Sequence, residues 1–446
     1  MKKQTATVLK WVGLSVIALG VLYAVFLGAG NRALRNAYAA LEADGRPMKA
    51  QQIIPAEIPD TDNAALVYKA VVLQLQAEKA GEKDLFTELS NAAENVLKEP
   101  PDVEAKTRFR QLTQTHIASD ILTLLQRGTA KPGCRYDHPY TSGPALSNPL
   151  LSDLRNLSRI LCALARLQAE DGDHAASWQT AFSSLRLASA LKNEPILISQ
   201  IVRVTLFSQA NDTIHTLAEI SPPSSQQAEE LEGALKDFES MAPFATAMDG
   251  ERLLLGEWVF NLQAADVQKA LFGDVGKASI RRAIGWVILS SPFFLYDHAA
   301  YLNIMRGYAK TVTEPYSLEE ASRAEAQIIN ARPYNMLTSV SVPNVSAAKA
   351  RMLSMNADAR VTRVGLALLK HRQAKGSFPN DLCDLGMGDL LDPFTVNPLL
   401  YQMTPSGFTL YSVGENLVDD KGMASKNRHS GDRVWQYAEK NAEQKL

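Results

Sequence analysis

This chain has few cysteines and no excess of basic residues, and each of these features excludes a class of protein. Only 3 of its 446 residues are cysteine, which excludes a disulfide-stapled scaffold. Cys162 lies in an apolar run and is expected to be a small buried side chain, while an oxidising compartment would allow the pair Cys134–Cys383. The formal net charge is -2, whereas nucleic-acid-binding chains usually carry a basic excess. We therefore expect no nucleic-acid partner.

The short motifs of common catalytic sites are also missing. The sequence contains no Gly-x-Ser-x-Gly, no His-Glu-x-x-His and no Walker A segment. Gly386-x-Gly388 lacks the third glycine and the preceding strand of a dinucleotide-binding loop. The cysteines do not have the spacing of a zinc site. These absences favour a non-enzymatic role and leave open an enzyme whose site follows no familiar motif.

A long uncharged run lies at the N-terminus. The segment from Trp11 to Gly30 follows three lysines and contains no charged residue. A helix needs about 20 apolar residues to cross a bilayer, so residues 1–30 are predicted to be an uncleaved single-pass anchor. A cleaved signal peptide is the alternative, because Gly28-Ala29-Gly30 weakly imitates a cleavage site. The lysines favour the cytoplasmic membrane with the N-terminus inside, which places the main domain on the extracytoplasmic side.

Apolar residues at helical spacing predict that most of the chain after the anchor is α-helical. Residues 31–59 are expected to be a helix followed by an extended strap punctuated by prolines. Residues 60–350 are expected to be a domain of helical hairpins, with a candidate sub-boundary in the Ser/Pro-rich stretch 221–225. Asp60 or Asp62 is expected to cap the first helix of that domain.

The spacing of apolar residues changes near the C-terminus. A helix that ends at Lys375-Gly376 is followed by alternating segments that predict strands. These strands are expected at 399–403, 408–413 and 433–437. The turn Thr404-Pro405-Ser406-Gly407 joins the first two. The predicted fold class is therefore mostly α, with residues 351–446 forming a small α+β module of antiparallel strands.

Several short segments of this module follow the order and residue types of a known family. They are Gly376-Ser377-Phe378-Pro379, Asp392-Pro393-Phe394, Leu410 to Asn416, and Gly431-Asp432 followed by Trp435. Over about residues 357–437 the module resembles the globular domain of the major pseudopilin of type II secretion. The resemblance implies an α+β fold and a link to secretion or surface assembly. The anchor departs from that family, because pseudopilins carry a glutamate in the membrane helix and this one has no acidic residue.

The same resemblance implies a calcium site in the loop after the second strand. Asn416 and Asp432 fall on the two acidic ligand positions of the family, and the carbonyl of Val413 falls on its backbone ligand. Asp419 and Asp420 add carboxylates to the loop. Calcium takes six to eight hard oxygen ligands, a set that these residues can supply. The alternative is a solvated acidic turn whose charge is neutralised by basic side chains nearby.

The whole chain also resembles an uncharacterised group of membrane-anchored bacterial proteins. The shared segments are Asn63-Ala64-Ala65, Cys134-Arg135-Tyr136 and the helix start at Glu194-Pro195. This resemblance implies an architecture and brings no activity with it.

Three other clusters are weighed as sites. Asp171-Gly172-Asp173-His174 and Asp60-Thr61-Asp62 contain metal-binding residue types, but both are expected to be ordinary turns with Asp173 as a helix N-cap. Glu251, Glu257 and His298 lie in the helical domain, where two of them would make an acid–base pair if they converged. The alternative is that they are ordinary surface or paired polar side chains.

The expected function is that of a membrane-anchored extracytoplasmic scaffold or interaction protein of the cell envelope. Its expected partners are the lipid bilayer and other envelope proteins. One alternative is an envelope hydrolase with its site in the helical domain, and another is an adaptor that captures peptides. A deep pocket with converging titratable residues would favour the enzyme, whereas an apolar groove would favour the adaptor.

Overall fold

The structure is a computed structural model, and it confirms the mostly helical fold class. It describes residues 2–143, 146, 148–261, 292–319, 337–338, 342–343, 345–388, 390–423 and 431–439. Within these residues one long apolar helix begins the chain, helices follow one another, and a small antiparallel sheet lies near the C-terminus.

The first helix, α1, runs without a break from the anchor segment into the body. It spans Lys2–Ala43, 42 residues, or about 63 Å at 1.5 Å per residue. Within the described residues it is the helix that is long and apolar enough to cross a membrane. Its side chains from Lys10 to Phe26 are exposed, whereas Ala37 and Leu41 are buried in the body. The expected anchor and the helix expected after it therefore form one continuous helix.

The helices of the body are joined mostly by short connections, and α6, α7 and α8 pack on one another. A minimal hairpin, β1 (Lys79–Ala80) and β2 (Lys83–Asp84), precedes α3. The helices are α2 (Ala64–Ala77), α3 (Leu85–Val96), α4 (Val103–Thr113), α5 (His116–Thr129), α6 (Leu150–Glu170), α7 (His174–Ser189), α8 (Leu197–Ile220), α9 (Ser225–Leu235), α10 (Ala242–Gly250), α11 (Glu257–Asn261), α12 (Pro292–Thr311) and α13 (Val345–Lys375).

The helix caps follow the sequence in one place and depart from it in another. Asp173 caps α7 as predicted, since its carboxylate accepts the backbone N–H of Ala176 at 3.1 Å. The predicted cap of α2 is wrong. Asp60–Asp62 form a short 3-10 turn, and Asn63 caps α2 by accepting the N–H of Ala65 at 3.1 Å. An asparagine side chain is as good an N-cap as aspartate, which explains the one-residue displacement.

A π-helical segment, Glu251–Gly256, connects α10 to α11. The chain is tightly packed there, because a Cβ on Gly256 would lie 1.8 Å from the hydroxyl of Tyr301. π-helical turns are rare and are often found at functional sites. The segment itself contains a buried charged residue, Arg252, which is 1% exposed.

The long helix α13 joins the body to the C-terminal sheet. It begins at Val345, before the boundary expected at 350/351, and it ends at Lys375 as predicted. It packs against α8 and α9 of the body and against β4 and β5 of the sheet. A single apolar cluster extends from Leu41 of α1 to Trp435 of the sheet. The helical domain and the α+β module therefore share a core.

The C-terminal strands form an antiparallel sheet, as predicted, and their order is β3-β4-β5. They are β3 (Leu400–Thr404), β4 (Gly407–Ser412) and β5 (Arg433–Ala438). The turn Pro405-Ser406 sets the register by pairing Thr404 with Gly407. Glycine is required at 407, because a Cβ there would lie 1.8 Å from the carbonyl oxygen of Tyr437.

Candidate functional site

A cavity of about 510 Å³ lies between the proline-punctuated strap and helix α10. The strap supplies one apolar wall, and Ala242 and Pro243 of α10 contribute to another. The remaining lining comes from the loop at 133–135, from the α7–α8 connection and from the segment after α9. The strap residues are Ile53, Pro55, Ala56 and Ile58, and the polar residues are Arg135, Lys192, Asn193, Lys236, Asp237, Ser240 and Thr246.

Asn63 joins two segments that lie next to this cavity. Besides capping α2, its side-chain amide donates to the carbonyl of Arg135 at 2.9 Å and its oxygen accepts the N–H of Arg135 at 3.0 Å. The Arg135 guanidinium in turn donates through Nε to the carbonyl of Pro55 at 3.1 Å. Two segments of the resemblance, Asn63-Ala64-Ala65 and Cys134-Arg135-Tyr136, are therefore in direct contact and position the strap.

Glu194, from the third segment of that resemblance, lies behind the same loop. Its buried carboxylate accepts the Tyr140 hydroxyl at 2.8 Å and lies 3.2 Å from Nε2 of His138. The rings of His138 and Tyr140 pack edge to face, with centroids 4.3 Å apart. The contacts of Glu194 with Tyr140 and His138 therefore hold the loop after α5 against the segment that leads into α8. The three segments, separate in the sequence, thus meet beside one cavity.

The charged groups of the cavity suit a ligand with an anionic group. The lining carries three cations, Arg135, Lys192 and Lys236, and one anion, Asp237. Lys192 pairs with Asp237 at 2.7 Å. Burial raises the pKa of the Cys134 thiol, which also lines the cavity, to about 12. Because the thiolate is the nucleophilic form, this cysteine is a poor nucleophile at neutral pH.

The acid–base candidates Glu257 and His298 meet at the hydroxyl of Tyr38. That hydroxyl donates to Oε2 of Glu257 at 3.1 Å and lies 3.3 Å from Nε2 of His298. With its own proton on Glu257, the Tyr38 oxygen can accept the Nε2–H tautomer of His298. Glu251 does not join them, because its carboxylate accepts the N–H of Leu197 at 2.8 Å. The structure thus brings together two of the three predicted residues.

A chain of alternating charges continues from this meeting point. Arg252 donates to Oε1 of Glu257 and to the carbonyl of Pro47, and it lies 3.6 Å from Asp249. Arg46 binds Asp249 through two hydrogen bonds of 2.7 and 3.2 Å. Two cations and two anions therefore balance one another in a region of low solvent access. A buried charge is tolerated when it is paired and hydrogen-bonded in this way.

Burial determines the protonation of the same cluster. It raises the pKa of Glu257, an effect that the neighbouring Arg252 opposes. It lowers the pKa of His298 to about 4, so the imidazole is neutral at pH 7. The ring of Phe260 stacks on His298 with centroids 4.4 Å apart and planes 4° from parallel. We name Tyr38, Arg46, Asp249, Arg252, Glu257 and His298 the α1 network, because it fastens the end of α1 to the body.

The predicted calcium ligands lie in one loop, where their polar groups bind one another and the backbone. Asp432 accepts the N–H of Asp420 at 3.2 Å and the N–H of Gly422 at 2.7 Å. The Asn416 amide donates to the Asp420 carboxylate at 3.0 Å. Asp419 accepts the Tyr411 hydroxyl at 3.1 Å. N–H and O–H donors therefore face these carboxylates in the described geometry.

Val413, the predicted backbone ligand, is held by a residue that the site prediction missed. Its N–H donates to the buried carboxylate of Asp392 at 3.0 Å, and Asp392 also accepts the N–H of Phe394 at 2.8 Å. Over the described residues, which omit 424–430 of this loop, no group of three His, Cys, Asp or Glu side chains is placed to hold a metal ion. Arg433 pairs with Asp358 on α13. Calcium binding stays a prediction.

The remaining candidates lie apart from both clusters. Asp171 pairs with Arg110 at 2.7 Å, so the Asp-Gly-Asp turn fastens the α6–α7 corner to α4. Asp60 and Thr61 are exposed in their 3-10 turn. Cys134, Cys162 and Cys383 form no disulfide in the structure, and Cys162 is buried as expected.

Comparison with protein-family models, curated proteins and solved structures gives no significant match for this chain. The functional argument therefore starts from the cavity, the α1 network and the apolar helix.

Proposed function

We propose that this chain is a single-pass, membrane-anchored scaffold or interaction protein of the cell envelope. In this proposal the N-terminus faces the cytoplasm and the helical body stands on the extracytoplasmic side. The observation that carries the proposal is the continuity of α1. The helix that is apolar enough to cross a membrane is also the helix whose last turns bury Ala37 and Leu41 in the body.

Contacts along α1 support an anchor that sets the orientation of the body. Tyr38 joins α1 to α11 and α12 through Glu257 and His298. Beyond it, Asp44 accepts two hydrogen bonds from Arg306, of 2.6 and 3.0 Å. A tethered enzyme needs only a flexible linker, whereas a scaffold has to present its surfaces at a fixed height and angle. A rigid, internally fastened rod serves the second need.

The geometry gives less support to a hydrolase. Glu257 and His298 are 7% and 5% exposed and bind partners from their own cluster. Cys134 faces the cavity as a protonated thiol. The link to secretion or surface assembly rests on the resemblance of residues 357–437 to the major pseudopilin, and it is part of the same proposal.

The test compares partner recovery with the anchor rigid or loosened. A short Gly-Ser spacer is inserted between Gly30 and Asn31 of the full chain, and the same spacer is inserted at Gly172, in the exposed α6–α7 turn, as a control. Envelope proteins cross-linked to the membrane-extracted chain are then identified. We expect the spacer in α1 to abolish specific recovery and the control to preserve it. Equal recovery from both variants would contradict a role for the rigid anchor.

Orientation is tested separately on intact spheroplasts. Added protease is expected to digest the body without lysis, because the body faces outward in this proposal. Protection until lysis would overturn the extracytoplasmic placement and would leave the scaffold role open on the other side.

The cavity favours a second candidate, an adaptor that binds a peptide or small ligand with an anionic group. Thr246→Trp would fill the cavity, and Thr123→Trp, at an exposed site on α5, is its control. Native mass spectrometry of the full chain should show a co-purified anionic ligand that only Thr246→Trp removes. A chain that carries no such ligand, and takes up none from an envelope extract, would remove support for the adaptor.

A further inference from the structure

The first turn of α12 lies against the part of α1 that is apolar enough for a membrane. The ring of Phe26 is 5.2 Å from the ring of Phe293 and 5.1 Å from the ring of Tyr296. Phe26 belongs to the uncharged run from Trp11 to Gly30. These aromatic contacts therefore lie within the predicted span and not beyond its end.

Gly30 allows the two helices to approach closely at this level. A Cβ at position 30 would lie 3.1 Å from Cβ of Leu295 and 3.3 Å from the carbonyl oxygen of Pro292. The start of α12 thus packs directly on the α1 backbone. The position of α12 along α1 is therefore fixed by this close backbone contact as well as by the aromatic contacts of Phe26.

The direction of α12 follows from contacts at its two ends. Phe293 near its start meets Phe26, and Arg306 near its end meets Asp44. Both helices therefore advance in the same direction, away from the apolar run. The N-terminal turn of α12 is its membrane-proximal end.

Two exposed arginines lie on α1 just after the apolar run, and they indicate where the headgroup region of the bilayer begins. Arg32 and Arg35 follow the run, and arginines at such positions reach toward lipid headgroups. Phe26 precedes Arg32 by six residues, which is about 9 Å along a helix. Phe293, beside Phe26, is consequently on the acyl-chain side of the arginines, and it is 46% exposed.

We propose that the first turn of α12, Phe293 to Tyr296, inserts into the outer interface of the bilayer as a second membrane contact of the body. This rests on the proposed anchoring of α1. Aromatic side chains are favoured at the membrane interface, and burial of apolar surface there adds to binding. Although α1 fixes the body relative to its own axis, a single span can tilt in the bilayer together with the body, whereas a second contact beside it restricts that tilt.

The test uses the full chain in lipid nanodiscs with one environment-sensitive NBD label at a time. The native cysteines are replaced, and single cysteines are introduced as Phe293→Cys, Leu19→Cys and Ile117→Cys. Leu19 reports on the anchor, and Ile117, exposed on α5, reports on the aqueous side. Lipids spin-labelled near the headgroup quench labels in the interface, and lipids spin-labelled near the end of the acyl chain quench labels in the bilayer core, such as the one at 19. Tyr296→Cys gives a second reporter in the same turn if Phe293→Cys does not fold.

We expect labels at 19 and 293 to be quenched several-fold more than the label at 117, with blue-shifted emission at 293. Quenching at 19 with the label at 293 behaving like that at 117 would overturn this inference and leave the anchor intact. A label at 19 that is not quenched would overturn the anchor and this inference together. Each variant is used only if its circular dichroism melt matches that of the parent.

Discussion

The imidazole of His215 lies flat on the indole of Trp435, with centroids 4.2 Å apart and planes 5° from parallel. His215 belongs to α8 and Trp435 belongs to β5, so the stack joins the helical body to the C-terminal sheet. Nε2 of His215 also lies 2.7 Å from the hydroxyl of Thr362 on α13. Burial lowers the pKa of His215 to about 3, so the ring is neutral at pH 7.

Gly365 of α13 packs against the same indole, and a methyl group there should destabilise the protein. A Cβ at this position would lie 2.1 Å from two ring carbons of Trp435. Gly365→Ala is expected to cost about 1–3 kcal/mol by overpacking, measured by chemical unfolding. Gly307→Ala is the matched control in α12, where a Cβ meets open space, and it should stabilise by up to about 1 kcal/mol. Equal effects of both substitutions would contradict the packing argument.

Truncation tests whether the body is independent of the module. The apolar periodicity of residues 60–350 predicts a fragment that melts cooperatively. The packing of α13 predicts the opposite, because a cut after residue 350 leaves only the first turns of α13 and uncovers α8 and α9. We expect a fragment of residues 31–350 to keep helical circular dichroism and lose its cooperative melt. A sharp transition in that fragment would show that the body folds alone.

The stability of the α1 network should depend on pH through His298. Its pKa is about 4 in the folded chain against an ordinary value of 6.5, so the unfolded chain binds the proton more tightly. The stabilisation from the neutral ring is present above about pH 6.5 and is lost as the pH falls toward 4. The carboxyl groups of Glu257 and Asp249, whose pKa values burial raises, act in the opposite direction.

A comparison of variants isolates the histidine from those carboxyl groups. His298→Gln should be less stable than the parent at pH 7, because it loses the stack on Phe260. Between pH 7 and pH 5 the difference in unfolding free energy between parent and variant should narrow by about 2 kcal/mol. The reason is that His298 of the parent takes up a proton on unfolding in this range, whereas glutamine does not. His174→Gln, at an exposed position, should show no such change. A gap that stays constant over this range would contradict the lowered pKa.

Asp432 is expected to stabilise its loop whether or not calcium is present. Asp432→Asn replaces one acceptor of the Asp420 and Gly422 N–H groups with an amide donor, which should cost about 1–3 kcal/mol. Melting is measured in chelator and in millimolar calcium, with the exposed Asp384→Asn as control. A loss already present in chelator supports the hydrogen-bonded loop. A stabilising calcium shift that appears in the parent and disappears in Asp432→Asn would support the metal site.

The sequence predicted those parts of the fold that have a local signal. The uncharged run from Trp11 to Gly30 indicated the apolar helix, and alternation indicated β3, β4 and β5 because a strand repeats every two residues. The end of α13 at Lys375 followed from the glycine after it, which has φ +77°. Such features depend on neighbours within a few residues.

Contacts across the chain had no such signal. Tyr38 and Glu257 are separated by 219 positions, and nothing in the spacing of either residue points to the other. Asp392 is a buried acceptor for Val413, although its Asp-Pro-aromatic segment suggested only a family likeness. Asn63, Arg135 and Glu194 were noticed as separate segments. Their convergence beside one cavity depends on the packing of α2, α5 and α8, which periodicity does not encode.

Because α1 is continuous, the number of residues between Val16 and Leu22, in its exposed part, sets both the angle and the distance of the body relative to the first turns of the helix. Each residue of an α-helix turns the chain by about 100°, so a single insertion there would swing the body to a different face of the apolar helix. An insertion of seven residues would restore the direction to within about 20° while raising the body by about 10 Å. Insertions and deletions in this short stretch should therefore be tolerated when their length is close to a whole number of helical turns. Insertions of other lengths should impair function, because they turn the body away from its direction.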